Sequence, residues 1–234
     1  MTNTDRTKTE RAPMSSLRKT SLVAGIFYLL TFVSIPTLGL YSSVRGPNYI
    51  LGHGPDSPVI LGAILEMIVA LAGIGTAVTL YPVLRKQNHG RALGFVGSRV
   101  LEAATIYAGI TSLLSIVTLR QSGAGADALV TGQALAAQYY WTFLFGPSFI
   151  PAVNAVLLGS LLYQSRLVPR ALPVLGFIGA ALLVTAWAGT MLGLLGQVST
   201  ATVLLALPIA LWEFSLGLYL IIKGFKPSHI TAGM

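Results

Sequence analysis

The chain contains no cysteine and few charged residues. Among its 234 residues there is no Cys, and Asp, Glu, Lys and Arg together make up 9%. The absence of cysteine excludes disulfides, thiolate metal sites and cysteine nucleophiles. Soluble domains carry about 25% charged residues, so this chain has too few to cover a water-facing surface. Because 54% of the residues are hydrophobic, we predict an all-α polytopic integral membrane protein.

Histidine and net charge exclude two further classes of function. His53, His89 and His229 fall in predicted loops or in the C-terminal tail, so no buried imidazole pair is expected to bind a metal. The formal net charge of +8 could indicate nucleic-acid binding, but the basic residues flank apolar segments instead of clustering on one polar face. We therefore expect no nucleic acid, cofactor or metal, and the lipid bilayer as the partner.

Six long apolar segments follow a polar N-terminal stretch. They cover residues 20–42, 58–84, 91–119, 138–164, 170–195 and 199–222. Each reaches the roughly 20 residues that a helix needs to cross about 30 Å of hydrocarbon. We predict a disordered cytoplasmic tail at 1–17, a bundle of six transmembrane helices at 18–226 and a second cytoplasmic tail at 227–234.

The distribution of basic residues predicts the orientation of the bundle. Twelve of the fifteen Lys and Arg residues lie in the two tails and in the second and fourth loops, whereas the first and third loops hold only Arg45 and Arg120. Loops rich in Lys and Arg remain in the cytoplasm. We therefore predict both termini on the cytoplasmic side of the cell inner (plasma) membrane, with the loops 43–57 and 120–137 outside.

The fourth apolar segment carries two further signals. Tyr139, Tyr140 and Trp141 stand at its predicted outer end, where an aromatic belt meets the membrane surface. Pro147 and Pro151 lie within the segment, and each removes a backbone donor and frees a carbonyl group. Such a break is either an ordinary kink between packed helices or a functional discontinuity beside a polar cavity, and both interpretations remain open.

Four ionisable residues lie inside the predicted spans. They are Glu66 in the second, Arg99 and Glu102 in the third and Glu213 in the sixth. A charge at a helix centre costs about 2.5–3.5 kcal/mol on insertion scales, so such residues face the bundle interior and have partners. At about 1.5 Å per residue, Arg99, Glu102, Glu213 and also Asn154 share one layer near the midplane, whereas Glu66 lies nearer the outer half.

A stripe of polar and small residues follows one face of the third helix. A period of about 100° per residue groups them, and they are Ser98, Glu102, Thr105, Gly109 and Ser112. This stripe predicts a face of the helix that is turned toward protein or water and away from lipid.

Several stretches carry a resemblance to a known family. They are "VAGIFYLLTFVSIP" in the first helix, the Arg99–Glu102 pair, "LLGSLLYQSRLVPRALPVLG" around the fourth loop and "WEFSLGLYLIIKG" in the sixth helix. With these stretches the chain resembles an uncharacterised bacterial membrane-protein family catalogued as domain of unknown function 4386, over nearly its whole length after residue 18. The resemblance implies a membrane protein and supplies no activity.

The sequence is consistent with three functions. The first is the binding or translocation of a small ligand or a proton at Arg99, Glu102, Glu213, Asn154 and Glu66. The second is a structural or accessory membrane subunit in which the same side chains form a buried ion-pair network. The third, an intramembrane enzyme, is less favoured because the Asp clusters and His-rich motifs of such enzymes are absent, and no residue is assigned as catalytic.

Overall fold

The protein is helical throughout the part of the chain that the structure describes. This computed structural model describes residues 15–46 and 48–232, and they contain no strand. The helices are α1 (Ser16–Leu30), α2 (Thr37–Leu40), α3 (Ser57–Leu84), α4 (His89–Gln121), α5 (Leu129–Phe145), α6 (Ile150–Ser165), α7 (Ala171–Met191) and α8 (Thr200–Ile222). Within these residues six helical stretches are long and apolar enough to cross a membrane. The prediction of an all-α, six-span membrane protein is confirmed.

The first and fourth spans are interrupted, unlike the continuous helices predicted for them. In the first span, helix α1 ends at Leu30, and the chain continues through the 3₁₀ turn Thr31–Ser34 to α2. Pro36, which has no N–H group to donate to a preceding carbonyl, stands at this junction. The regular α-helix of the first span is therefore interrupted between Leu30 and Thr37.

The fourth span consists of two helices, so the single helix predicted at 138–164 is wrong in its start and its continuity. Helix α5 begins at Leu129, and the chain leaves the helix at Gly146 before α6 begins at Ile150. The carbonyl that Pro147 frees, on Phe143, accepts the backbone N–H of Ser148 at 3.0 Å. The break is thus satisfied locally by backbone hydrogen bonding.

The N-terminal tail was predicted at 1–17, and residues 1–14 lie outside the described residues. Helix α1 begins at Ser16, two residues inside that predicted tail. The side chain of Ser15 accepts the backbone N–H of Arg18 at 3.3 Å, which satisfies one of the free donors of the first turn.

The segment after α8 is held against the bundle. The backbone N–H of Lys226 donates to the Leu167 carbonyl at 2.8 Å, and the Ser228 hydroxyl donates to the Ser165 carbonyl. Ile230 is buried. The described part of the tail predicted at 227–234 therefore covers the connection between α6 and α7.

The long helices form a closed ring. Each contacts the next in the order α1, α3, α4, α6, α7, α8 and back to α1, while α5 packs against α4. In this order α4 and α8 occupy opposite positions. We call the end that carries the start of α1 and the end of α8 the terminal end, since Arg18 Nη1 donates to the Leu220 carbonyl at 2.9 Å. The opposite end, with residues 41–46, 48–56 and 121–128, is the loop end.

Small residues set the closest contacts in the ring. A Cβ added at Gly25 of α1 would lie 2.7 Å from the Gly217 carbonyl oxygen of α8, and one added at Gly179 of α7 would lie 2.6 Å from the Ile209 nitrogen. Membrane helices gain little from hydrophobic burial and associate through packing, which small residues make closer. These glycines therefore bring α8 against both of its neighbours.

The loop end is held by a polar cluster around Asp56. Its carboxylate accepts the Tyr49 hydroxyl at 2.6 Å and the Gln121 amide at 2.9 Å, and it forms an ion pair with Arg120. Burial alone would raise the pKa of Asp56, but the hydrogen bonds from Tyr49 and Gln121 and the charge of Arg120 outweigh burial and lower this pKa. The cluster ties the start of α3 to the end of α4.

This cluster predicts a loss of stability in acid. An aspartate whose pKa is lowered by folding stabilises the fold above its unfolded pKa of about 3.9, and it loses that contribution as the pH falls through the folded pKa. We expect the melting temperature in detergent to fall below about pH 4 more steeply in the wild type than in Asp56→Asn. Asp127→Asn, at an exposed loop position, is the control and should keep the wild-type slope. Equal acid slopes for wild type and Asp56→Asn would contradict this role.

Candidate functional site

A single guanidinium joins two carboxylates inside the ring. Arg99 and Glu102 lie one turn apart on α4, and Arg99 Nη1 donates to Glu102 Oε2 at 2.9 Å. Arg99 Nη2 donates to Glu213 Oε1 of α8, also at 2.9 Å. Arg99 is 4% exposed. Because α4 and α8 are opposite in the ring, the bond to Glu213 crosses its interior.

Asn154 of α6 completes the arrangement. It is fully buried, its Nδ2 donates to Glu102 Oε2 at 2.8 Å, and its Oδ1 accepts the Ser98 hydroxyl. Glu102 thus receives two side-chain donors, while Glu213 receives one. We call Arg99, Glu102, Asn154 and Glu213 the Arg99 centre. The structure brings together these four residues, which the sequence placed in one layer.

The Arg99 centre carries more negative than positive groups. One guanidinium faces two carboxylates, so the fully ionised cluster has one excess negative charge. Removing an uncompensated ion from water costs several kcal/mol even after relaxation. A proton or another small cation is therefore needed to neutralise the cluster.

Aromatic rings cover the guanidinium. The Arg99 Cζ atom lies 5.6 Å from the centroid of the Tyr28 ring and 5.7 Å from that of Phe95, within the range of cation–π attraction. The Tyr28 hydroxyl lies beside Arg99 but outside hydrogen-bonding geometry. The sequence did not indicate Tyr28, since nothing in the pattern of α1 shows which of its faces points toward Arg99.

A cavity of about 150 Å³ adjoins the Arg99 centre. Arg99, Glu102 and Glu213 line it together with apolar side chains of α3, α4 and the 3₁₀ turn of the first span. At Gly73 of α3 an added Cβ would lie 3.7 Å from Arg99 Cδ, so the missing side chain leaves room beside the guanidinium. A water molecule takes about 30 Å³ in the liquid, and the cavity accommodates several waters or one small ligand.

Glu66, the fifth residue predicted for the site, lies apart from the Arg99 centre. It is buried in α3, and its Oε1 accepts the Tyr139 hydroxyl at 3.3 Å. Tyr139 is only 5% exposed, so its predicted place in an aromatic belt is wrong. Trp141 is 46% exposed and lies near the end of α5. The structure thus contains two separate buried acidic sites.

The polar stripe of α4 faces protein, as predicted. Ser98 contacts Asn154 of α6, and a Cβ added at Gly109 would lie 3.1 Å from the Tyr139 ring of α5. Ser112 is 2% exposed. Across residues 15–46 and 48–232, no three His, Asp or Glu side chains come together as a metal site.

Comparison with protein families identifies the chain. A family model described as "Domain of unknown function (DUF4386)" matches residues 23–224. The chain belongs to the DUF4386 family. No curated protein and no solved structure matches it. The Arg99 centre and Glu66 all lie within the part matched to DUF4386, so both acidic sites belong to the DUF4386 domain.

Proposed function

We propose that this protein binds a proton at the Arg99 centre and carries it across a membrane. The observation that supports the proposal is the charge of the centre, in which a buried and a partly exposed carboxylate share one guanidinium beside a cavity. With one proton bound the cluster is neutral, and without it the cluster carries one negative charge. The same residues therefore have a proton-bound and a proton-free state, as a proton carrier requires.

Glu213 is the carboxylate that takes the proton in this proposal. Glu102 accepts hydrogen bonds from both Arg99 and Asn154, and these favour its charged form. Glu213 accepts only the bond from Arg99 among the described side chains, and its side chain is 15% exposed. It also lines the cavity, from which a proton can reach it.

Infrared spectroscopy of the protein in lipid nanodiscs tests proton binding. We expect a carbonyl-stretch band of a protonated carboxyl group that Glu213→Gln removes and Asp127→Asn leaves unchanged. A wild-type spectrum that Glu213→Gln does not alter at any pH would contradict the proposal. Loss of the wild-type band on adding Na⁺ or K⁺ at constant pH would also overturn it, since the occupant would then be a metal cation.

We also propose that the terminal end faces the cytoplasm of the cell inner (plasma) membrane. Nine of the Lys and Arg residues in the described chain lie at or near the terminal end, against Arg45 and Arg120 at the loop end, which fits the positive-inside rule. The chain has no native cysteine, so single cysteines report sidedness. A membrane-impermeant thiol reagent should label Ser43→Cys in intact cells and Ala232→Cys only after lysis. The reverse pattern would contradict this orientation.

One observation favours a structural role as the second candidate. Arg99 links α4 to α8 across the ring, and a buried ion pair of this kind can fix which helix faces come together. A stability measurement separates the candidates, because a structural lock requires the ion pair but no bound proton. In that case Glu213→Gln would lower the melting temperature without changing any protonated-carboxyl band.

A further inference from the structure

The second buried acidic site lacks a cationic partner. Among the described residues, Glu66 accepts one side-chain hydrogen bond, from Tyr139 at 3.3 Å, and forms no ion pair. The Tyr41 hydroxyl is buried beside the carboxylate, outside hydrogen-bonding geometry and without any partner. An unpartnered buried hydroxyl next to a carboxylate is a place for a water or a proton.

Side chains from neighbouring helices and from the loop end surround Glu66. The positive charge of Arg45 acts on Glu66, but its guanidinium donates to the backbone carbonyls of Tyr41 at 3.1 Å and Leu38 at 2.9 Å. Helix α5 presents Tyr139, and α4 presents the apolar Ile106 and Ile110 beside α3. The titratable and charged groups described around Glu66 are thus Tyr41, Tyr139 and the engaged Arg45, with Tyr107 of α4 packed against the cluster of Ile106 and Ile110.

Glu66 lies between the Arg99 centre and the loop end. Ala70, one turn further along α3, lines the cavity of the Arg99 centre, and Gly73 faces Arg99 itself. The seven residues from Glu66 to Gly73 correspond to about 10 Å along the helix. On the other side of Glu66, toward the loop end, a second cavity of about 240 Å³ is lined by Arg45 and Gln133.

The interior of the bundle differs in polarity on the two sides of the Arg99 centre. On the terminal side of the Arg99 centre lies part of a continuous apolar cluster that includes Phe95, Leu158 and Leu216, all fully buried. On the loop side lie both cavities and the Glu66 site. Two cavities and a buried carboxylate therefore lie between the Arg99 centre and the loop end.

We propose that Glu66 is the relay through which protons pass between the loop-end cavity and the Arg99 centre, an inference that rests on proton binding there. A hydronium ion in the cavity at the loop end transfers a proton to a Glu66 carboxylate oxygen and becomes a water molecule. That O–H bond then breaks as water in the cavity beside the Arg99 centre takes the proton and delivers it to Glu213. Glu66 becomes a carboxylate again. The hydroxyl of Tyr139 stabilises that carboxylate by donating to it.

Stopped-flow infrared measurement after a pH jump tests the relay in nanodiscs. We expect Glu66→Gln to reach the wild-type amplitude of the Glu213 band but to reach it about a hundredfold more slowly, the lower end of the effect of removing a positioned acid–base group. Glu66→Asp keeps a titratable group and should recover most of the rate. A wild-type rate in Glu66→Gln would overturn the relay while leaving the Arg99 proposal intact, whereas absence of any Glu213 band in the wild type would overturn the proposed function.

A second variant keeps the test decisive if Glu66→Gln does not fold. Ala70→Leu adds a bulky side chain between Glu66 and the Arg99 cavity, and we expect it to slow proton uptake with the Glu213 band retained. Ala104→Leu, on the exposed face of α4, makes the same change away from the route and should keep the wild-type rate. Equal rates in the two variants would contradict a route past Ala70.

Discussion

Replacing Arg99 with alanine is expected to lower the free energy of unfolding by about 3–5 kcal/mol, the usual effect of removing one partner from a buried ion pair. Arg99 holds two carboxylates at 2.9 Å each. Without it Glu102 and Glu213 face each other with no cation, and one or both must become neutral or draw in water. Unfolding in detergent, followed by circular dichroism, measures the change.

Two further variants show whether the loss comes from unpaired charge. The double variant Arg99→Ala with Glu213→Ala should recover part of the stability, because only Glu102 remains and Asn154 still donates to it. Arg99→Lys should be intermediate, since an ammonium group lacks the planar fork that bonds both carboxylates. Val100→Ala, at a 47% exposed neighbour, controls for truncation. Additive losses in the double variant would show that Arg99 and Glu213 are not energetically coupled.

Replacing Glu213 with glutamine is expected to reduce pH-driven proton flux into liposomes to the level of protein-free vesicles. Glutamine keeps the size of the side chain and an oxygen for Arg99, but it cannot bind a proton in exchange for a charge. The remaining Arg99–Glu102 pair is neutral, so the centre has a single charge state. A pH-sensitive dye trapped inside the liposomes measures the flux under an imposed pH gradient.

Control variants separate this effect from general damage to the protein. Glu102→Gln should also abolish flux and should lower stability, because Glu102 accepts bonds from Arg99 and Asn154 at once. Asp127→Asn removes an exposed carboxylate and should leave the flux unchanged. Wild-type flux in Glu213→Gln, with the protein folded and inserted, would contradict proton transport through the Arg99 centre.

The sequence alone determined the membrane architecture and most of the Arg99 centre. An apolar run of about 20 residues has the length of a helix that crosses the membrane hydrocarbon. A charged residue inside such a run must face the bundle interior. Arg99, Glu102, Asn154 and Glu213 could therefore be assigned to one layer by counting residues. The same arithmetic placed Glu66 nearer the loop end, where the structure has it.

Only the tertiary structure decided which groups contact one another and where space remains. The sequence did not indicate that Tyr139 is buried against Glu66, because an interfacial and a buried tyrosine look alike in a run of apolar residues. It also did not locate the ends of α5 and α6, since a proline can kink a helix or end it. The partners of Arg99 depend on the order of helices around the ring, which close packing between distant segments sets and local periodicity does not record.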